Sequence, residues 1–192
     1  LRLFVAVCPP LEALTHLGAE VARLRIGAAA AAGTNVRLAD PAELHLTLAF
    51  LGEVETARLV EVESALGLAA EWFRDGRDAS PRLSLGGGGR FGQGRSTVLW
   101  VDLQGDVESL HALARLIRSR LRHARLPYDD KPYRPHLTVA RPGDRVDSAD
   151  IEADQATLDR YQGLPWPATE LLLVRSHLGP GPRYDRLAAW PL

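Results

Sequence analysis

Polar and apolar residues alternate along two short stretches, Leu44-His45-Leu46-Thr47-Leu48 and His136-Leu137-Thr138-Val139. A period of two is that of a half-buried strand. In the first stretch His45 and Thr47 share one face, and Leu44, Leu46 and Leu48 the other. In the second, His136 and Thr138 oppose Leu137 and Val139. Elsewhere the period lengthens. Pro9-Pro10 opens a helix predicted to run to about Ala31, with Leu14, Leu17, Val21 and Leu24 inward and Gly33 as its stop. Further helices are predicted over 56–70, over 107–125 with Leu110, Leu113, Ile117 and Leu121 inward, and over 149–161. Strands are predicted over 1–7, 44–51, 82–85, 96–103, 170–177 and 184–190, with a short extended piece at 35–38. Gly179-Pro180-Gly181-Pro182 supplies a turn between the last two strands.

The elements recur in one order: strand, long helix, His-x-Thr strand, shorter helix, twice over. This predicts a single two-lobed domain over 1–192, built from internal repeats of about 1–90 and 91–192. Each repeat carries one motif. Two sheets related by a pseudo-two-fold axis would bring both histidine faces to a shared groove. The nearest thing to a linker is 86–94, which contains Gly87, Gly89 and Gly92 in a G-x-G-x-x-G spacing. A dinucleotide fingerprint needs a helix after it, and here a strand follows. The segment reads as a mobile surface loop; its functional alternative is a flap over a ligand, with Arg90 and Phe91 as contacts.

A chain of 192 residues can bury a sizeable core without staples. Its formal net charge of −1 offers no global basic field for duplex nucleic acid, so an anionic ligand must be held by a local cluster. Cys8 is the sole cysteine, within an apolar run where a buried, inert thiol is expected. A reducing cytoplasm fits, and no run is apolar enough to span a bilayer. There is no His-Glu-x-x-His, no cysteine cluster and no acid at ligand spacing within the motifs, so neither metal nor other cofactor is expected. His16, His111 and His123 fall on helices and read as solvated; His177, near a strand end, is less easily set aside. The run Arg115, Arg118, Arg120, Arg122 and Arg125 reads as a solvated helix face, with an RNA track as the alternative.

Either motif alone is an ordinary sheet strand whose histidine is satisfied by neighbours. Two of them can do metal-free phosphoryl chemistry. Histidine titrates near pH ~6.5, so one imidazole can take a proton while the other gives one. In-line displacement at phosphorus needs a base on the entering side and an acid on the leaving side. The threonine hydroxyls could hold the non-bridging oxygens as charge builds there.

Paired His-x-Thr-hydrophobic motifs, one per half, resemble the two-histidine phosphoesterase superfamily. The closer likeness is to the bacterial and archaeal RNA 2',3'-cyclic phosphodiesterases, also called 2'-5' RNA ligases. Arg2 through Val7, His45 through Gly52, Tyr133 through Arg141, and the ending, Ser176 through Gly181 to Tyr184 and Trp190-Pro191-Leu192, all look like that family. The resemblance implies an α+β fold with two pseudo-symmetric lobes, each an antiparallel sheet with outer helices, around a central cleft. It implies hydrolysis of an RNA-terminal or nucleotide 2',3'-cyclic phosphate to a 2'-phosphate, with reversible 2'-5' ligation through the same site. His45 would be the general acid on the departing 3'-oxygen and His136 the general base on water. Thr47 and Thr138 would bind phosphate oxygens, and Arg141 matches a family arginine near the phosphate or base. Phe50 occupies the same offset after His45 and, with Tyr133, could stack on a base. Strict alternation puts neither Phe50 nor Arg141 on a histidine face, so their participation requires a strand end or a bulge. The expected partners are RNA 2',3'-cyclic ends or small cyclic nucleotides, the expected state a monomer. Rival readings are a phosphodiesterase for 2'-5' oligonucleotides or ADP-ribose cyclic phosphate, and a nucleotide-binding module with little chemistry.

Overall fold

The computed structural model describes residues 1–179 and 183–192. Pro180, Gly181 and Pro182 of the expected turn lie outside the described residues. The apolar opening run forms strand β1 (Arg2–Val7), followed by helices α1 (Leu11–Arg23) and α2 (Arg25–Ala31). The short β2 (Arg37–Leu38) precedes the first motif strand β3 (Leu46–Glu53) and helix α3 (Leu59–Asp75). The glycine-rich β4 (Arg82–Phe91) and β5 (Val98–Gly105) lead to helix α4 (Val107–His123) and the second motif strand β6 (Leu137–Arg141). Helix α5 (Ser148–Asp159), the short β7 (Trp166–Pro167), β8 (Glu170–His177) and β9 (Arg183–Pro191) complete the chain.

The strands form two antiparallel sheets, ordered β3-β1-β8-β9 and β2-β6-β5-β4-β7. The architecture is α+β, as expected, but the sheets do not follow the chain halves. Strands β8 and β9 complete the first sheet, while β2 crosses to the second and pairs Arg37 with Arg141. One continuous core joins both sheets, from Leu3, Val5 and Leu46 to Leu99, Val101 and Leu137. Helices α3 and α4 pack on each other, and α4 also packs on β3. These crossings tie the sheets together at their backs.

Two expectations fail for tertiary reasons. The helix predicted to run from Pro10 to Ala31 breaks at Leu24, whose backbone is extended (φ −65°, ψ 160°). Asp154 of α5, itself buried, accepts the backbone N–H groups of Arg25 and Ile26 at 2.8 and 2.9 Å. A carboxylate from a distant helix thus serves the first free donors of α2 and stabilises a second helix start there.

The glycines of 86–91 are not a mobile loop but the second half of β4. A Cβ on Gly88 would stand 2.5 Å from the Leu158 Cβ of α5, and one on Gly89 only 2.1 Å from the Trp100 ring. Glycine weakens a strand in general, yet it is required where another element lies flat against the backbone. A helix covers one side of β4 here and an indole the other.

Candidate functional site

Both motif strands carry the same irregularity. On β3, Thr47 pairs with Ala6 and Ala49 with Val5, so Leu48 and Ala49 together oppose one residue of β1. On β6, Thr138 pairs with Trp100 and Ala140 with Leu99, so Val139 and Ala140 oppose one residue of β5. These are β-bulges, each with two consecutive side chains buried in the core. Each bulge resets the alternation and returns the next residue to the threonine's face. That residue is Phe50 on β3 and Arg141 on β6. The condition for their participation is met in both strands.

The histidines are oriented identically. Nδ1–H of His45 donates to the Glu43 carbonyl at 2.8 Å, and Nδ1–H of His136 to the Arg134 carbonyl at 2.8 Å. A carbonyl only accepts, so Nδ1 carries the hydrogen and Nε2 is left for proton transfer. Pro135 favours an extended Arg134 and so helps aim its carbonyl.

The surroundings differ. Phe4 stacks on His45, with ring centroids 4.5 Å apart, and Tyr184 meets it edge-on at 5.0 Å. Burial lowers the His45 pKa below the ordinary imidazole value, and the bond to the Glu43 carbonyl offsets this only in part. Phe4, Ala6, Leu172 and Val174 form an apolar floor on this face, with Phe50 packed beside it and the Arg2 guanidinium 5.1 Å from its ring centroid. Around His136 stand Phe91, edge-on at 5.0 Å, and Trp100 at 6.1 Å.

Tyr184 connects the two faces electrostatically. Burial raises its phenol's pKa and Glu43 adds to this, while the charges of Arg141 and Arg2 pull it back. Arg141 comes from the second sheet, and the other three groups belong to the first sheet or its approach to β3. Arg141 of the second motif strand thus acts on Tyr184, whose ring borders His45 of the first.

Tyr133 does not join them. Its ring lies 5.2 Å from that of His111 on α4, against the core, and its pKa is raised by burial. Its expected base-stacking role gives way to packing. The remaining histidines are mostly engaged: His16 Nδ1 lies 2.8 Å from the Tyr161 hydroxyl, and His177 Nε2 lies 2.5 Å from Asp185 Oδ2. The bond from His177 holds the Asp185 carboxyl below its usual range.

The arginine run is solvated at Arg115, Arg122 and Arg125, as expected, while Arg118 and Arg120 are half-buried. Arg120 lies over Trp72 at 4.3 Å, and Arg122 donates to the Tyr128 hydroxyl at 2.6 Å. Cys8, expected to be buried, is exposed just past β1, although desolvation of the thiol raises its pKa. A cavity of about 410 Å³ lined by Leu17, Val21, Leu38, Pro41, Leu44 and Val139 opens beside α1, not at the histidines.

Phe4, Tyr184, Trp100 and Arg134 were not foreseen as site residues. A signal existed for Phe4 and Trp100: each sits in a strand that pairs with a motif strand. Which partner each motif strand takes is a tertiary fact. Among the described residues, no cluster of three or more His, Cys, Asp or Glu could hold a metal ion. No helix among them is long and apolar enough to cross a membrane.

Two bulged His-x-Thr strands, one in each sheet and each with its imidazole held through Nδ1, suit a phosphoesterase-like class of site, and comparison with known proteins gives the family. The chain belongs to the 2'-5' RNA ligase superfamily, whose family model matches residues 13–180. It is 33% identical over 154 residues to the RNA 2',3'-cyclic phosphodiesterase of Escherichia coli K12, covering 78% of this chain and 76% of that one. It is 34% identical over 163 residues to the RNA 2',3'-cyclic phosphodiesterase of Thermus thermophilus, covering 79% and 73%. Escherichia coli LigT, solved in complex with 3'-AMP, superposes with a TM-score of 0.68 at 28% identity, covering 100% of this chain and 97% of that one.

Proposed function

We propose that this protein hydrolyses 2',3'-cyclic phosphate, at RNA ends or on nucleotides, to a 2'-phosphate without a metal. The observation that carries the reading is the matched pair of imidazoles, each pinned through Nδ1 to a backbone carbonyl with Nε2 left free. Relatives named for this activity support it.

In the proposed reaction His136 Nε2 takes a proton from water as its oxygen bonds to phosphorus. The P–O3' bond breaks opposite, and His45 Nε2 delivers a proton to O3'. Thr47, Thr138 and Arg141 stabilise the charge that gathers on the non-bridging oxygens. The dry wall of Phe4 and Tyr184 suits the acid role, because a lowered pKa makes an imidazolium a stronger donor to a departing alkoxide. The negative phosphate, once bound, favours the protonated form that this role needs. In this reading Phe50 meets the base of the nucleoside bearing the cyclic phosphate.

The reading takes the protein as a monomer of the cytoplasm, a compartment that suits the free thiol of Cys8. Size-exclusion chromatography with light scattering tests the first point. For the chemistry, an oligonucleotide ending in a 2',3'-cyclic phosphate is incubated with the protein in EDTA. Quantitative conversion to a 2'-phosphate is expected. A 3'-phosphate product, binding without turnover, or activity lost to EDTA and restored by a divalent ion would overturn the reading.

A further inference from the structure

The second sheet carries a feature that hydrolysis by water does not use. Trp100 lies across the bare backbone of Gly89 and is only 4% exposed. Phe91 stacks beside it, with ring centroids 5.0 Å apart at 27°. The exposed Arg134 closes the stack, its guanidinium 4.8 Å from the Trp100 centroid and 5.4 Å from that of Phe91. Arg25, Arg58, Arg95 and Arg186 each pair with a carboxylate. Among the described residues Arg134 pairs with none. The indole Nε1 is buried without a hydrogen-bond partner, a cost that an apolar filler would avoid. The stack is therefore a flat, cationic surface kept beside His136 for something other than packing.

We propose that Arg134, backed by Trp100 and Phe91, is a shelf on which the base of an incoming nucleoside stacks. The inference rests on the functional reading above, in which His136 serves the entering side of phosphorus and His45 the leaving side. Whatever enters in place of water must lie on the His136 side. A nucleoside 5'-hydroxyl entering there has its base a few ångströms away, at the distance where the stack begins. Guanidinium planes and aromatic rings both accept bases face to face with little regard for sequence. The step balances: the 5'-oxygen bonds to phosphorus, its proton passes to His136, the P–O3' bond breaks, and O3' takes the proton of His45. The product is a 2'-5' diester, and its cleavage runs the same atoms backwards. Arg134 is thus a specificity-determining residue for the entering group.

The test is a competition within one reaction. The full chain is given cytidine 2',3'-cyclic phosphate with either adenosine or methyl β-ribofuranoside, which offers the same 5'-hydroxyl without a base. Transfer and hydrolysis products are separated by chromatography, and their ratio is read for each acceptor. The native protein should favour adenosine on the order of 5- to 100-fold, the span that base stacking gives. In Arg134→Ala and Phe91→Ala the two acceptors should approach parity. Arg134→Lys should do the same, because an ammonium keeps the charge but has no plane to stack. The ratio is internal, so partial unfolding or a shifted His136 scales both products and cannot imitate the effect. The shelf is refuted if the native protein shows no adenosine preference, if it transfers to neither acceptor while hydrolysing, or if the preference survives in Arg134→Ala or Arg134→Lys. Failure to hydrolyse the cyclic nucleotide at all would instead overturn the functional reading, and this inference with it.

Discussion

Beside Thr47 the neighbouring strand presents Ala6; beside Thr138 it presents Trp100. The two motif strands are otherwise close copies, with the same bulge after the threonine and the same carbonyl holding Nδ1. The approach differs too. The residue two before each histidine is acidic Glu43 in one strand and cationic Arg134 in the other. The shared motif therefore fixes the backbone and the candidate reacting groups, while the walls are free to diverge. One wall desolvates an imidazole; the other builds a charged aromatic surface. In the proposed reaction the entering and leaving groups differ, and the unequal walls suit them.

The comparison breaks first at the histidines. Replacing either His45 or His136 by alanine should lower kcat/KM for a 2',3'-cyclic nucleotide by about 10²- to 10⁴-fold, with the circular dichroism spectrum unchanged. The double variant should lose little more than the worse single one, because the two act as a unit. Additive losses would mean that the two strands work separately. Next come the threonines. Thr47→Val and Thr138→Val should each cost about 10²-fold in kcat, as expected when a donor to developing charge is removed. A loss at only one would assign phosphate binding to a single lobe.

A third change probes the unequal walls through stability. Gly89→Ala drives a Cβ into the Trp100 ring and should destabilise the fold by about 1–3 kcal/mol, read as a lower Tm. Adding Trp100→Leu should recover part of that loss. The smallest effect is the most diagnostic. Burial disfavours the charged form of His45, so its pKa sits below the ordinary imidazole value. Phe4→Ala admits water and should raise it. Nuclear magnetic resonance titration of the His45 imidazole in the native protein and in Phe4→Ala reads this shift directly, and an unchanged or lower pKa in the variant would mean that the aromatic wall does not desolvate the ring.

Much of this was legible from residues alone, for reasons that differ by element. The period of two around His45 and His136 marks each imidazole and its threonine as neighbours on one face, because side-chain direction in a strand is set locally. Helix α4 was readable from Leu110, Leu113, Ile117 and Leu121, all four of them fully buried. Phe50 and Arg141 were named through family likeness while the alternation denied them, since a bulge is a property of a strand pair. The break at Leu24 was invisible because Asp154, which caps the new helix, is far along the chain. The glycines of β4 misled for the same reason: bare backbone reads as a loop until Leu158 and Trp100 are seen lying against it.

The order of residues by itself thus determined which groups are candidates for proton exchange and which face of each strand they occupy, because both depend on chemistry and spacing within a few positions. Only the tertiary structure decided that β8 and β9 cross back to complete the first sheet, that Phe4 and Tyr184 dry one imidazole, and that Arg134 rests on Trp100 beside the other. Those choices depend on which strands pair and what each face buries. Residues far apart in the chain settle that jointly, and no short window of sequence contains both partners.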